Sequence, residues 1–342
     1  HDKPVATVDD LSKVFMKTLE SIGHFYTHIF PELAIPTKTI FGRKKSPLEL
    51  VEKILEKRID AAHLPATNFW LQFFNNTLLF LDIFIYGQWI HTNADKIVAD
   101  FFRYERDELR FSVVKVIAAA AHANREIAHE EKMLFEYFLD STQMEGMRKQ
   151  EALKIFAEGI AIEDINLPTE NSWILKKFFL EIGILTLWAD RKVEPLELNF
   201  LKQFCHYIGF TDEDLENSMI AIEAFVLEHW HQLENLQRKE EIQQVSDLFV
   251  KRVSRIAERN KSTLIKEMQA NEAVMNLLRK ASANELDLEE KERMRLELIY
   301  MLNKVPTLTL IALPQRYLTL PLLLKILPRN IFAEGIMKPR EE

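Results

Sequence analysis

The sequence predicts an all-α protein built as a multi-helix array, and three observations support this prediction. Glycine and proline together make up only 20 of 342 residues (8 Gly and 12 Pro), about half of their average usage of roughly 12%. Residues 210–305 contain neither of them, although the hairpin corners of a sheet protein need Gly, Asn-Gly or Pro. Apolar residues recur at helical spacing instead. We therefore expect about a dozen helices.

Composition narrows the class of protein further. The chain is 47% hydrophobic and contains 23 Phe, which is enough for a packed core. Cys205 is the only cysteine, which excludes intramolecular disulfides and Cys-x-x-Cys zinc or redox sites and favours a reducing, cytoplasmic compartment. The net charge is 44 − 52 = −8, so no global basic field attracts nucleic acid. We predict no nucleic-acid partner.

Residues 1–100 form the first predicted region, which is helical. Ser46 and Glu49 fit a capping box around Pro47, so we expect a helix to begin there. The apolar stretch 69–90 follows and contains polar side chains, Asp82 among them, which a lipid-facing span rarely carries. We interpret this stretch as a buried core helix.

Residues 101–230 form the second predicted region and contain an internal repeat at an offset of 66 residues (189 − 123). Each copy reads as an apolar helix, a short polar turn and an acidic helix start, whose Glu suits the positive end of the helix dipole. The sequence thus predicts a repeated helical hairpin. Further helix starts are expected at Pro168, Thr211 and Asp287. The matching columns are Ala123/Ala189, Asn124/Asp190, Arg125/Arg191, Ile127/Val193, Glu131/Glu197 and Phe138/Phe204.

The turn in each copy resembles the Ala-Asp-Gly-x-Ile-x-x-x-Glu signature of tellurite-resistance-B-like domains, over about residues 105–230. The resemblance implies an all-helical module in which two such turns are related by pseudo-symmetry and acidic residues hold a divalent cation. Arginine replaces the signature Gly in both copies. A second interpretation, in which the acidic residues only cap helices, therefore stays open. The metal ligands that the resemblance implies are Asp190, Glu197 and Glu131.

Residues 231–342 form the third predicted region, which opens with long charged helices. Apolar residues lie at heptad-like spacing from Ile242 to Ile256, with charged residues on the other faces. We interpret this as an amphipathic helix packed on the region before it. A coiled coil with a partner is the alternative, although Arg252 occupies a position that would lie in its core.

Prolines break the C-terminal part of this region. Pro306, Pro314, Pro321 and Pro328 follow one another at spacings of 8, 7 and 7 residues. Each proline removes a backbone donor and clashes with the preceding turn, so the helical pieces are about 10 Å long against about 30 Å of hydrocarbon. We expect short packed helices, with membrane insertion as the alternative. Peripheral membrane contact through residues 305–332 is a further expectation.

The order of residues 285–333 resembles the start of the shared region of the mitochondrial leucine-zipper, EF-hand-containing transmembrane protein family. A charged helix reaches Val305-Pro306, and Leu320-Pro321 later leads through Lys325 to Leu327-Pro328-Arg329-Asn330. That family is linked to cation/proton exchange and to ribosome binding. With the helical module in front, the chain is similar to bacterial biofilm-associated proteins related to that family. We predict an interaction segment that includes Arg316, Pro321, Lys325 and Pro328.

The sequence contains no motif typical of an enzyme active site. No two glycines are spaced for G-x-G-x-x-G or a Walker loop. His24 and His28 would share a helix face, but Phe25 stands where a zincin motif has Glu. Cys205 reads as a buried structural cysteine. We predict no catalytic residue and no cofactor-binding residue, with a divalent cation as the one cofactor to consider.

The leading hypothesis is a non-enzymatic helical interaction or scaffold protein of the biofilm-associated type, cytoplasmic and membrane-peripheral, with a protein partner. The alternative hypothesis is a membrane-linked protein that handles or senses cations. It draws on the resemblance of the C-terminal segment and on the acidic turns.

Overall fold

The structure, a computed structural model, describes residues 7–33, 35–36, 42–63, 69–90, 96–124, 126–142, 144–167, 172–189, 194–233, 239–283 and 286–337. Those residues form sixteen α-helices and three short 3₁₀ helices, and none of them lies in a β-strand. The predicted all-α fold is confirmed.

The chain divides into two compact units, His1–Leu175 and Lys176–Glu342. Helix α7 (Trp173–Trp188) begins at the end of the first unit and continues into the second. The division into regions 1–100, 101–230 and 231–342 stays a prediction. The other helices of the first unit are α1 (Val8–Ile29), α2 (Pro47–His63), α3 (Phe69–Trp89), α4 (Lys96–Ala121), α5 (His129–Thr142) and α6 (Gly146–Glu158).

The core of the first unit forms around α3, which packs against α4 and α5, while α1 packs on α2 and α4 packs on α6. Phe74 of α3 meets Phe138 of α5 edge to face, with 5.4 Å between ring centroids. Phe135 of α5 stacks on Phe156 of α6 at 4.0 Å. Buried aromatic pairs of this kind contribute strongly to core stability. The prediction of a buried core helix at residues 69–90 agrees with α3.

A buried ion pair lies inside this core. Arg58 Nε donates to Asp82 Oδ2 at 2.7 Å, and the hydroxyl of Tyr26 lies 3.4 Å from the same oxygen. Burial raises the pKa of Asp82, and the nearby Arg58 guanidinium opposes that rise. The three residues come from α1, α2 and α3, so the pair joins these helices. Removing one partner would leave the other charge buried without compensation.

The second unit is also entirely helical where it is described. Helix α9 packs on α8 and α10, and α13 packs on α12 and α15. The apolar stripe of α10 is buried inside the unit, with Val245 5% and Phe249 0% exposed, so the stripe is not free to form a coiled coil with a partner. The helices are α8 (Pro195–Tyr207), α9 (Asp212–His229), α10 (Lys239–Arg259), α11 (Lys261–Ala270), α12 (Glu272–Ala283), α13 (Leu288–Leu302), α14 (Pro306–Thr309), α15 (Leu320–Ile326) and α16 (Ile331–Met337).

Across the described ranges, none of the helices combines the length and the apolar content needed to cross a membrane.

Candidate functional site

The 66-residue repeat is present in the structure and is longer than the sequence indicated. Helices α5 and α8 begin 66 residues apart, at His129 and Pro195, and α6 and α9 do the same, at Gly146 and Asp212. Equivalent positions of the two copies are also buried alike, although most of them carry different residues. The residue identities alone therefore reveal only the turns. Pairs buried in both copies include Leu109/Leu175, Val113/Phe179, Val114/Leu180, Phe138/Phe204, Ala152/Ser218 and Phe156/Ile222.

The two predicted glutamate ligands occupy equivalent places in this repeat. Glu131 accepts a hydrogen bond from the backbone N–H of Ala128 at 2.8 Å, and Glu197 accepts one from Glu194 at 2.7 Å. Their exposed fractions are 1% and 0%. Each carboxylate thus reaches back from the third helical position to the residue before the helix, which is half of a capping box. The capping interpretation describes what both side chains do.

The third predicted ligand, Asp190, lies outside the described residues, as does its neighbour Arg191. Within the described part of the chain, no group of three or more His, Cys, Asp or Glu residues is arranged to hold a metal ion. The cation site therefore stays a prediction.

Two of the four C-terminal prolines lie in the first turn of a short helix and the other two lie in the connections between short helices, which agrees with the expected short helical pieces. Pro306 is the first residue of α14, and Pro321 lies in the first turn of α15, where a missing N–H costs little. The carbonyl of Pro314 accepts from the N–H of Leu318 at 3.0 Å and so closes a turn. Pro328 ends the segment before α16.

This C-terminal segment packs inside the second unit. Helix α15 contacts α10 and α13, and α16 contacts α11. A Cβ on Gly335 would lie 1.7 Å from Met268 Cε, so α16 approaches α11 closely at that glycine. The side chains that face inward are Val305, Leu308, Ile311, Leu313, Leu318, Leu323, Ile326, Leu327 and Ile331.

The outer face of the segment carries three of the four predicted interaction residues. Arg316, Pro321 and Lys325 are exposed, whereas Pro328 is buried. Arg316 also pairs with Glu228 of α9, with 3.4 Å between Nε and Oε1. Leu310 and Leu324 are 66% and 49% exposed on the same segment. We call Leu310, Arg316, Pro321, Leu324 and Lys325 the C-terminal surface.

A groove between α1 and the start of α2 is a further site, which sequence reasoning did not identify. The groove has a volume of about 900 Å³, within the range of roughly 300–1,000 Å³ typical of ligand sites. Gly23, Val51 and Ile54 are buried and line its floor. His24 and His28 line one wall. The basic residues 43–45 line the other wall.

The basic wall of this groove is fixed by the capping box predicted for α2. Glu49 N–H donates to Ser46 Oγ at 3.1 Å, and Glu49 Oε2 accepts from Ser46 N–H at 2.7 Å. Arg43 pairs with the same Glu49 carboxylate. The hydrogen bond from the Ser46 backbone, followed by the Arg43 guanidinium, lowers the pKa of Glu49. The sequence showed the basic run and the two histidines, but it did not show that they line the same groove.

Comparison with known proteins gives one kind of match. The chain is 28% identical over 127 residues to the co-chaperone protein DjlA of Vibrio vulnificus strain CMCP6, covering 35% of this chain and 44% of that protein. It is 28% identical over 129 residues to the DjlA co-chaperone of Vibrio cholerae, covering 35% and 45%. The DjlA co-chaperone of Aliivibrio fischeri matches over 117 residues, also at 28%. The match thus spans less than half the length of these curated relatives. No protein-family model and no solved structure matches the chain.

Proposed function

We propose that this chain is a non-enzymatic helical scaffold that acts by binding another protein, and that its partner belongs to the protein-folding machinery. The similarity to co-chaperones over 127 residues carries the proposal. A co-chaperone acts by contact with a chaperone or with its client, so a shared helical segment suits a protein-binding role. The match covers 44% of that relative. A co-chaperone activity of this chain is therefore our proposal.

The C-terminal surface is the partner-binding surface in this proposal. Two exposed leucines and a proline lie on the same segment as the cationic side chains of Arg316 and Lys325. Exposed apolar residues with charged neighbours are typical of protein interfaces. The buried face of the same segment fixes the position of these side chains, which limits the ordering cost of binding.

The cellular setting of the proposal follows from the family resemblances. We place the chain among bacterial biofilm-associated proteins, in the cytoplasm and in peripheral contact with the membrane through residues 305–332. The mixture of exposed leucine and cationic side chains on the C-terminal surface is compatible with an anionic lipid surface.

A refolding assay tests the proposed function. Denatured luciferase is refolded by a purified bacterial ATP-driven chaperone with increasing amounts of the chain. We expect the refolding rate to change with the concentration of the chain and to saturate. A rate that stays constant, together with no chain–chaperone or chain–luciferase complex by sedimentation velocity, would contradict the proposal.

Two variants locate the effect on the C-terminal surface. Leu324→Ser and Lys325→Glu change exposed side chains, so both are expected to fold normally and to reduce the effect on refolding. The matched control is Leu153→Ser in α6, whose side chain is 47% exposed. If the control reduces the effect on refolding as much as the two variants do, the assignment of partner binding to the C-terminal surface is contradicted.

A further inference from the structure

The floor of the groove between α1 and α2 is apolar and largely buried. Gly23 brings the helices close together, since an added Cβ would lie 2.3 Å from Val51 Cγ2. Val51 and Ile54 are 5% and 4% exposed beneath the opening. Leu50 is half-buried at the edge. A ligand that fills this opening needs an apolar part of side-chain size.

The charged lining of the groove consists of three consecutive cations at residues 43–45 and two carboxylates, Glu20 and Glu49, so the cations outnumber the carboxylates by one. Arg43 is paired with Glu49, and Lys45 donates to the carbonyl of Pro36 at 2.7 Å. Lys44 is exposed and forms no ion pair with another described residue. Glu49 is already engaged by Arg43 and by the capping box, so the wall retains positive charge. This wall belongs to a chain whose net charge is −8.

The wall formed by α1 presents His24, Thr27 and His28. His28 Nδ1 lies 2.7 Å from the carbonyl oxygen of His24, which one tautomer satisfies by donation. The His24 and His28 rings stack at 5.8 Å between centroids. Thr27 is exposed on the same wall. The Thr27 hydroxyl donates to the carbonyl oxygen of Gly23 at 2.7 Å, so the donor that this wall can present to a partner is the ring N–H of the exposed His24.

We infer that this groove binds an acidic, apolar peptide segment of a partner protein, with an apolar side chain on the Gly23–Val51–Ile54 floor and a carboxylate against Lys44. The inference rests on the proposed function only in that the occupant is a protein. Helix pairs with an apolar groove commonly bind peptides in this way. Charge complementarity between a basic wall and an acidic segment supplies the specificity.

A peptide selection tests the inference with a defined probe. A phage-displayed library of random 12-residue peptides is selected on the full chain, and the enriched sequences are synthesised with a fluorescent label. We expect enriched peptides that combine acidic residues with one or two large apolar residues. Their binding, measured by fluorescence polarisation, should weaken as salt is added.

Substitutions on both walls place the peptide in the groove. Lys44→Glu and His24→Asp alter exposed side chains on opposite walls, and each should weaken peptide binding by about threefold or more through charge reversal or added negative charge. The control is Lys17→Glu, an exposed lysine of α1 outside the groove, which should bind like the wild type. Circular dichroism confirms that each variant is folded.

The outcomes separate this inference from the proposed function. No enrichment over the empty support, enrichment without acidic residues, or equal binding by Lys44→Glu and the wild type would each overturn the groove assignment. Leu324→Ser should bind the selected peptides like the wild type, since it changes only the C-terminal surface. If the chain binds these peptides but leaves refolding unchanged, the groove assignment is supported and the proposed chaperone-related function is contradicted.

Discussion

At the scale of single residues, Gly23 controls the approach of α1 to α2. A Cβ at this position would lie 2.3 Å from Val51 Cγ2, and the β-branched Val51 has few alternative rotamers. We therefore expect Gly23→Ala to lower the free energy of unfolding by about 1–3 kcal/mol, measured by urea denaturation. Adding Val51→Ala removes the clash, so the double variant should lose less stability than the sum of the two single variants.

The matched control for this prediction is Gly87→Ala in α3. Nothing lies within 4 Å of a Cβ added at Gly87, and helix interiors favour Ala over Gly by about 1 kcal/mol. The control should be as stable as the wild type or slightly more stable. If Gly23→Ala and Gly87→Ala change the free energy of unfolding equally, the close approach of α1 to α2 at Gly23 is contradicted.

Glu223 makes stability depend on pH. Burial raises the pKa of Glu223 from 4.5 to about 7, although Arg252, 3.5 Å away on α10, opposes the rise. The folded state therefore holds a proton that the unfolded chain releases between pH 4.5 and 7, so folding loses stability as pH rises through this window, by up to about 3 kcal/mol. Glu223→Gln should gain stability relative to the wild type between pH 5 and pH 8.

The measurement for Glu223 is urea denaturation of both proteins at pH 5, 6, 7 and 8. The difference between the two unfolding free energies cancels the titration of other groups that do not interact with this site. Glu258→Gln on α10 serves as control because Glu258 is exposed, and its difference from the wild type should stay constant. A constant difference for Glu223→Gln would contradict the buried-carboxylate account.

At the scale of helices, the sequence predicted where helices begin better than it predicted which helices pack against each other. The starts expected at Ser46, Thr211 and Asp287 are confirmed, with capping hydrogen bonds at each, because a capping box depends only on residues three apart. The start expected at Pro168 lies outside the described residues. The groove was not predictable in this way, since residues 20–28 and 43–54 meet only through the packing of α1 on α2.

The repeated glutamates allow the capping and metal interpretations to be separated at this scale. Glu197→Ala removes a buried acceptor and should cost about 1–3 kcal/mol of stability, whereas Glu197→Gln keeps an oxygen that can accept from Glu194 N–H and should cost less. Denaturation with and without Ca²⁺ is the measurement. Stabilisation of the wild type by Ca²⁺ that both variants abolish would favour the cation site instead.

At the scale of the whole molecule, charge is distributed unevenly. The chain carries a net charge of −8, yet residues 43–45 form a basic wall of the α1–α2 groove, and Arg316 and Lys325 are exposed on the C-terminal surface. Local positive surfaces on an acidic protein favour selective contact with acidic partners over general attraction to polyanions. Two separate surfaces of this kind suit a scaffold.

The two compact units predict that each half of the chain can fold by itself. The first unit has its own core in the α3–α5 contacts, and the second has one in the contacts of α10 with α9 and α15, and a domain with its own core can in principle fold alone. We expect fragments 1–188 and 173–342, both of which retain the whole of α7, to be helical and to unfold cooperatively. Thermal unfolding followed by circular dichroism measures this. A fragment that is helical but melts without a cooperative transition would show that its core needs residues from the other unit.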